Sequence, residues 1–219
     1  MADTYEKPSV TVDVLIFTVQ ENKLKIILVK RAIEPFKGSW AIPGGFVRKN
    51  ESLEEAALRE LSEETGVKDV YLEQLYTFGD PKRDPRGRVI TVSFLALLPA
   101  ENLKLIGSTD VSDAKWFALN ELPTLAFDHK KIVEYALGRL RTKIQYSNIT
   151  HGLMPEEFRL SELQKVYETI LGENLDKRNF RKKILSLGLL KPTGKMEVEG
   201  AHRPAMLYKF KTKETVLFD

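Results

Sequence analysis

Three glutamates on one predicted helix carry the strongest chemical signal in the chain. Glu60, Glu63 and Glu64 are spaced i, i+3 and i+4 within Ser52–Thr65, so a helix places all three carboxylates on one face. Carboxylates this close repel one another unless a cation neutralises them, and a site made only of oxygen ligands suits Mg²⁺ or Mn²⁺ better than zinc. The alternative is an ordinary acidic helix face exposed to water.

The helix that carries these glutamates is the most clearly bounded element of the sequence. Ser52 and Glu55 form a capping-box pattern at its start, and Gly66 follows its last turn as a stop signal. The sequence therefore predicts a helix over Ser52–Thr65.

Strand-like segments surround this helix. The first two, SVTVDVLIFTV and LKIILV, are separated by the polar break QENK, which predicts a hairpin. A second helix is predicted at Asp128–Arg141. The fold class is therefore α/β, with a mixed sheet that leans towards antiparallel pairing. The predicted strands are Ser9–Val19, Leu24–Val29, Trp40–Phe46, Val70–Phe78, Arg88–Leu98 and Ala114–Phe117.

Length and composition set outer bounds on the kind of protein. The chain has 219 residues, which is room for two domains, and 42% hydrophobic residues, which is ample for a core. The sequence has no cysteine, so disulfides, thiolate zinc sites and a cysteine nucleophile are excluded. It has neither a signal-peptide pattern nor a run long enough to span a membrane, and we therefore expect a cytoplasmic location.

The acidic helix lies within a longer motif. The segment Gly45–Val67 resembles the 23-residue signature of the Nudix hydrolases at each fixed position of that signature. The resemblance implies a Nudix α/β/α sandwich with a mixed sheet. The matching residues are Gly45, Glu51, Arg59, Glu60, Leu61, Glu63, Glu64, Gly66 and Val67.

The Nudix resemblance also implies roles for these residues. Family members cleave a nucleoside diphosphate linked to another moiety, by attack of water on a phosphorus, and a divalent metal offsets charge on the phosphate oxygens and activates the water. Glu51 and Arg59 are expected to pair and brace the loop, and Glu64 is the candidate general base. The implied metal ligands are the Gly45 carbonyl with Glu60, Glu63 and Glu64.

A basic loop, FGDPKRDPRGR at 78–88, is the candidate substrate-binding segment. Guanidinium groups bind phosphate or carboxylate bidentately, so Arg83, Arg86 and Arg88 could clamp a ligand. The alternative is ordinary Asp-Pro turn chemistry with solvated arginines. The run RDPRGR, together with SWAIPGGFV, resembles the ADP-ribose-directed Nudix branch, which implies ADP-ribose or a related compound as the ligand.

Three residues near these motifs have other expected roles. Trp40 and Phe46 flank the Gly-Gly corner, and we expect both to belong to the core. Asp113 opens the short strand Ala114–Phe117, and a structural role is expected for it in preference to positioning metal or water.

The C-terminal part carries the excess positive charge of the chain. Residues 151–219 contain 13 Lys and Arg against 10 Asp and Glu, whereas residues 1–150 contain 21 of each kind. A helix predicted at Asp176–Leu187 concentrates this charge, because Phe180, Ile184 and Leu187 form one apolar stripe. Arg178 and Lys182 lie on the opposite surface, and Arg181 flanks them.

The elements around this basic helix predict a winged helix-turn-helix. A helix at Ser161–Leu171 precedes it, and two β-like pieces, Leu189–Thr193 and Met206–Lys211, follow it around the segment Gly194–Arg203. Basic helices have affinity for any phosphate backbone, and a small dimerisation or protein-binding domain is the alternative.

The tail also resembles a known module. The segments FRLSELQKVYETILGENLDKRNFRKKIL and RPAMLYKF are similar to the winged helix of the Nudix-related, NrtR-like bacterial transcriptional regulators. The resemblance implies a homodimer that holds operator DNA while its Nudix half senses a metabolite such as ADP-ribose. By position, the resemblance assigns DNA contacts to Lys177, Arg178, Arg181 and Lys182 of the helix, with Lys195 and Arg203 added from the wing.

The two modules lead to one hypothesis with open alternatives. We assign residues 1–145 to the Nudix domain, 146–157 to a linker and 158–219 to the winged helix. The predicted function is a metabolite-responsive regulator that also hydrolyses its ligand with Mg²⁺ (or Mn²⁺), because the Nudix motif is complete. The alternatives are an ADP-ribose pyrophosphatase without a DNA-binding role and a sensor that binds without cleaving.

Overall fold

The computed structural model of the chain describes residues 7–67, 70–100, 111–197 and 204–218. The proposed wing residue Arg203 lies outside these ranges. Within them, none of the helices is long and apolar enough to cross a membrane.

The N-terminal part is built on a seven-stranded mixed sheet. Its central strand pairs antiparallel with the next strand in a hairpin closed by Glu21 and Asn22, whose φ values of 54° and 59° suit a two-residue turn. The strands are β1 Ser9–Gln20, β2 Lys23–Arg31, β3 Trp40–Ala41, β4 Gly44–Phe46, β5 Tyr71–Phe78, β6 Val89–Leu97 and β7 Val111–Ala118.

The sheet is mixed and mostly antiparallel, as the sequence predicts. The order is β3-β2-β1-β6-β5, with β4 added to β1 and β7 added to β2. Strand β1 pairs with β6 in parallel over Ser9–Phe17, whereas β5 and β6 form the expected antiparallel pair. The strand predicted at Trp40–Phe46 is divided into β3 and β4, because Ile42 and Pro43 leave the ladder between them.

Helices cover both faces of this sheet, as the resemblance implies. Helix α1 (Leu53–Thr65) packs Ala56, Ala57 and Leu61 on one face, and α2 (His129–Lys143) packs on the other. The side chains of β1 alternate between the two helices, because successive residues of a strand point to opposite faces. Val12, Val14 and Ile16 lie on the α1 side, and Leu15 and Phe17 lie on the α2 side.

The C-terminal part is a winged helix, which confirms the prediction. Helices α3 (Leu160–Leu171) and α4 (Lys177–Ser186) are joined by a turn that starts at Gly172, whose φ is 78°. A three-stranded sheet in the order β8-β10-β9 combines one short strand before the pair with two strands after it. Its strands are β8 Phe158–Arg159, which the sequence did not predict, β9 Leu190–Glu197 and β10 Ala205–Phe210.

The segment proposed as a linker, 146–157, is folded and buried. It contains a 3₁₀ turn at Ile149–Leu153, and Ser147 and Asn148 are 0% and 1% exposed. The Asn148 side chain accepts a hydrogen bond from the Val216 N–H at 2.7 Å, so the end of the chain returns to this segment. A single hydrophobic cluster runs from β1 through α2 into α3 and α4. The two modules are therefore in direct contact.

Candidate functional site

A cavity of about 240 Å³ opens beside the acidic helix. Its wall combines the end of β2, the Gly-Gly corner of β4, helix α1, the basic loop and the start of α2. The lining includes Asp13, Arg31, Glu60, Glu64, Arg83, Arg86, Phe127 and His129. The sequence motifs at 45–67 and 78–88 thus meet at one place.

Arg59 and Glu51 form the predicted brace. The Arg59 Nε donates to Glu51 Oε2 at 2.9 Å and its Nη2 donates to Oε1 at 2.7 Å, which is a bidentate pair. The same guanidinium also donates to the Phe46 carbonyl at 3.2 Å. It therefore ties the loop before α1 to the middle of the helix. The hydrogen bonds from Arg59 lower the pKa of Glu51 to about 2.

The three glutamates of α1 have different environments. The Glu60 carboxylate accepts a hydrogen bond from Arg59 Nη1 at 2.6 Å, and its side chain is 12% exposed. The Glu63 side chain is 47% exposed. Glu64 is half-buried, and its Oε2 accepts from the Gly44 N–H at 3.0 Å. Glu60 and Glu64 thus point to the Gly-Gly corner, and Glu63 lies nearer to solvent.

The Gly-Gly corner has no room for side chains. A Cβ added at Gly45 would lie 2.2 Å from Glu60 Oε1, and one added at Gly44 would lie 2.2 Å from the Val12 carbonyl oxygen. Both distances are far below any normal contact. Glycine at these positions is therefore what allows the backbone to approach the carboxylates of α1 this closely.

Burial changes the protonation of the inner carboxylates. Burial raises the pKa of Glu64 to about 8, helped by the negative charges of Glu60 and Asp13 and opposed by the Gly44 N–H. Burial also raises the pKa of Glu60. In both cases the charged form is disfavoured until a cation compensates it.

The donor set at this corner fits a hard divalent cation. Carboxylates of Glu60 and Glu64 lie against the backbone at Gly44–Gly45, and all available donors are oxygens. Within the described ranges, however, no three acidic or histidine side chains already stand at metal-binding spacing, since Arg59 engages Glu60 and Glu63. A cation at this corner would therefore compete with Arg59 for these two carboxylates.

The three arginines of the basic loop have separate positions. Arg83 is 8% exposed and is paired with Asp128, whose carboxylate it meets at 2.8 and 3.1 Å. Arg86 lines the cavity and pairs with Asp84 at 2.7 Å. Arg88 donates to the Gly79 carbonyl at 2.7 Å and is absent from the described cavity wall. Arg86 is thus the most available of the three.

Aromatic rings surround the guanidinium of Arg86. Its Cζ lies 4.9 Å from the ring centre of Phe46 and 5.5 Å from that of Phe127, and Arg31 lies 4.9 Å from Phe127. The expectation that Phe46 belongs to the core was wrong, because its side chain is 44% exposed at the cavity. Trp40 does pack against the core, with its ring 4.8 Å from that of Phe117.

Two buried polar side chains at the base of the cavity, Asp13 and His129, were not predicted from the sequence. Asp13 is 6% exposed, accepts from Thr91 Oγ1 at 2.7 Å and lies 3.6 Å from Arg83. His129 accepts from the Ile42 N–H through Nδ1 at 2.9 Å, and burial lowers its pKa, so its proton sits on Nε2, 3.7 Å from Asp13. The available signal was a charged residue in an otherwise apolar strand.

Asp113 lies away from this cavity. It pairs with Lys115 at 2.6 Å on β7, which agrees with the structural role expected for it.

The basic face of α4 is presented as predicted. Asp176 caps the helix by accepting from the Asn179 N–H at 2.9 Å, and Phe180 and Ile184 are buried beneath it. On the wing, Lys195 pairs with Glu157 at 2.9 Å. The exposed side chains on α4 include Lys177, Arg178, Arg181 and Lys182.

Helix α2 connects the cavity with the winged helix. Asp128 and His129 at its start contact the cavity, as described above. At its other end the Arg141 Nε donates to the Ile170 carbonyl of α3 at 2.9 Å, and Lys143 pairs with Glu73 of β5. A helix of 15 residues spans about 22 Å. One helix therefore contacts both the cavity and helix α3 of the winged helix.

Two family models match the chain. Residues 7–136 match the NUDIX domain, and residues 151–210 match the NrtR DNA-binding winged helix domain. The ADPR responsive transcriptional repressor NtrR of Acinetobacter baylyi is 40% identical over 94% of this chain and 83% of its own length.

Two further similarities cover the whole chain and its first part. The crystal structure of Shewanella oneidensis NrtR complexed with a 27mer DNA aligns with a TM-score of 0.83 and 41% identity, over 92% of this chain and 93% of that one. The ADP-ribose pyrophosphatase of Methanocaldococcus jannaschii is 45% identical over 59% of this chain and 73% of its own length.

Proposed function

The chain belongs to the Nudix family and carries an NrtR-type winged helix, and from this premise we propose that it is an ADP-ribose-responsive transcriptional repressor. The observation that carries the proposal is the pairing of both modules through α2 in one chain. The relative from Acinetobacter baylyi, which matches over both modules, is named for this function.

We propose the cavity beside α1 as the ADP-ribose site. The guanidinium of Arg86 is the candidate phosphate ligand, since it lies beside the glutamates and its ion pair is partly exposed. Arg83 and Arg88 are proposed to hold the loop that carries it, because both are engaged with protein groups. Phe46 and Phe127 provide the apolar surface on which the ligand rests.

Hydrolysis of this ligand is the second part of the proposal. Mg²⁺ or Mn²⁺ would be held by Glu60, Glu63, Glu64 and the Gly45 carbonyl, and when bound it would offset phosphate charge and lower the pKa of a water. Glu64 is proposed to accept the proton of the attacking water. The pair Glu51–Arg59 positions α1.

The DNA-binding surface is proposed on α4 and the wing. Lys177, Arg178, Arg181 and Lys182 are exposed on one helix that is capped and packed on α3, so they can enter a major groove together. Lys195, and Arg203 as a prediction only, would add phosphate contacts from the wing. A location in the cytoplasm, with access to DNA, follows from this role.

Coupling between the sites is proposed to run through α2. A ligand that moves Arg86 or the loop also acts on the pair Arg83–Asp128, and therefore on the start of α2. The far end of α2 holds α3 through Arg141. Ligand binding then favours one placement of the winged helix, which changes its affinity for DNA.

A homodimer is proposed as the DNA-binding form. Winged helices that read operators commonly act as pairs on two half-sites. An exposed aromatic patch supports self-association: Tyr76 of edge strand β5 is 50% exposed, Tyr135 of α2 is 42% exposed, and their rings lie 4.8 Å apart. Light scattering of the purified chain gives its mass directly.

Two assays separate this function from its alternatives. The first is Mg²⁺-dependent release of AMP from ADP-ribose, and the second is a gel shift with DNA upstream of the gene, with and without ADP-ribose. Turnover without any shift at low salt indicates a pyrophosphatase alone. A ligand-dependent shift without turnover indicates a sensor that does not cleave. The proposal requires the shift to depend on ADP-ribose.

A further inference from the structure

A second basic cleft lies at the junction of the two modules, apart from the cavity and from α4. It has a volume of about 600 Å³, which is in the size range of small-ligand sites. The edge of the first sheet forms one wall through Tyr71 and Leu97, and the buried connecting segment forms the floor through His151. The other wall comes from the base of the wing and the residues after it.

Four lysines line this cleft. Lys209 lies on β10, and Lys211 and Lys213 follow the strand in the run KFKTK, at bends of the backbone. Phe210, between them, packs against Phe158 at 5.3 Å between ring centres. The fourth, Lys191, lies directly across the ladder from Lys209. Within the described part of the chain, Glu156 is the acidic residue of the lining, and these lysines have no ion pair.

The pairing of Lys191 with Lys209 is expected to lower the free energy of unfolding. Like charges directly opposite each other on a sheet are destabilising. Lysines often protect the edge strand of a sheet from aggregation, and this accounts for Lys191 on β9. Lys209 lies beyond Leu207 and Tyr208, the β10 residues that pair with β8, so the unfavourable feature is the like-charged pair Lys191–Lys209 itself. The positive charge of Lys213 also reaches the half-buried His151, whose pKa burial and that charge both lower.

The cleft lies far from the wing tip, so DNA binding by the tip does not explain its lysines. The pair Lys191–Lys209 is next to the base of the hairpin, whereas the tip begins beyond the pair Glu197–Ala205. Six residues of a strand separate these points by about 20 Å. The described cleft wall contains no residue of α4. These lysines therefore lie apart from both α4 and the wing tip.

We propose that this lysine cleft binds a small phosphorylated anion that bridges the Nudix and winged-helix modules. Four lysines in the wall of one concave site favour a ligand that carries more than one negative charge. Because such an anion contacts both modules, it stabilises one arrangement of them. The cleft is thus a second effector site, whose existence does not depend on ADP-ribose binding beside α1.

The first test is titration calorimetry of the full chain with inorganic tripolyphosphate in EDTA. Three proteins are compared: the unmodified chain, Lys191→Gln/Lys209→Gln, and the control Lys130→Gln/Lys131→Gln on the exposed side of α2. The first pair should weaken binding at least about tenfold, and the control should not. Tripolyphosphate held beside α1 contributes equally to all three. Equal affinities in all three proteins would overturn the proposal.

The second test separates a small anion from the DNA backbone. Each lost phosphate contact reduces the magnitude of the negative slope of log K against log salt by about 0.9 for duplex DNA. The Lys191→Gln/Lys209→Gln protein should keep the slope of the unmodified chain. A slope lower by about two contacts would assign the lysines to DNA and contradict the proposal. Thermal unfolding serves as the folding control, and an unchanged or higher Tm is expected because like charges are removed.

Discussion

Arg83 and Asp128 are joined by two hydrogen bonds of 3.1 and 2.8 Å, and this pair ties the basic loop to the start of α2. Both side chains are largely buried, at 4% and 11% exposed. The loop that forms one wall of the ligand cavity is thus attached to the helix that reaches the winged helix. The relationship between the two functions of the chain depends on this attachment.

Breaking that pair should destabilise the protein. Asp128→Asn leaves the buried guanidinium of Arg83 without its full charge partner, and we expect a loss of about 2–4 kcal/mol in the free energy of unfolding. Urea denaturation measures it. The matched control is Asp113→Asn, because the pair Asp113–Lys115 is 37% and 59% exposed and should contribute under about 1 kcal/mol. Equal losses in the two variants would contradict the buried role of Arg83.

Removing the proposed base should abolish most hydrolysis. Glu64→Gln keeps the shape of the side chain but can neither accept a proton nor bind metal as a carboxylate, so AMP release should fall by about 10²–10⁴. The control Glu54→Gln changes an exposed glutamate in the first turn of α1 and should leave the rate unchanged. Comparable rates for Glu64→Gln and the control would remove Glu64 from the mechanism.

The raised pKa of Glu64 predicts a pH dependence of stability without metal. A carboxyl group whose pKa rises from 4.5 to about 8 on folding favours the protonated form in the folded state. Its stabilising contribution is complete below pH 4.5 and is lost as the pH rises to about 8. In EDTA, the Tm of the unmodified protein should therefore fall relative to that of Glu64→Gln over this interval. A constant difference across it would show that Glu64 does not titrate there.

The basic face of α4 predicts a defined change in DNA binding. Arg178→Ala removes one exposed guanidinium, and the salt slope for DNA binding should fall by up to about 0.9 if that group contacts a phosphate. Lys131→Ala, on the exposed side of α2, should leave both affinity and slope unchanged. Anisotropy of labelled DNA across a series of salt concentrations measures both. An Arg178→Ala protein with unaltered binding would argue that α4 faces away from DNA.

Local patterns in the sequence predicted much of the site. Glu51 and Arg59 meet as the Nudix resemblance implied, and α4 shows the buried and exposed faces that its periodicity predicted. Both cases depend on residues a few turns apart. The hairpin at Glu21–Asn22 is equally local.

Long-range contacts were beyond the reach of sequence patterns. The partner of Arg83 is 45 residues away, and the contact between His129 and Ile42 spans 87 residues. Neither distance leaves a periodic signal. The polar composition of segment 146–157 did not predict its burial. The Asn148 side chain amide hydrogen-bonds there with the backbone of Glu214 and Val216, which are distant in sequence. Phe46 was expected inside the core, yet it borders a cavity formed by distant elements.

The central claim is that ADP-ribose binding changes the affinity of the winged helix for DNA. The most direct measurement is the anisotropy of labelled upstream DNA, titrated with the Glu64→Gln protein so that the ligand stays intact, with and without saturating ADP-ribose. We expect the DNA Kd values with and without ADP-ribose to differ at least about fivefold, which is the lower end of typical coupling between sites. Identical Kd values, with ADP-ribose binding demonstrated separately, would contradict it.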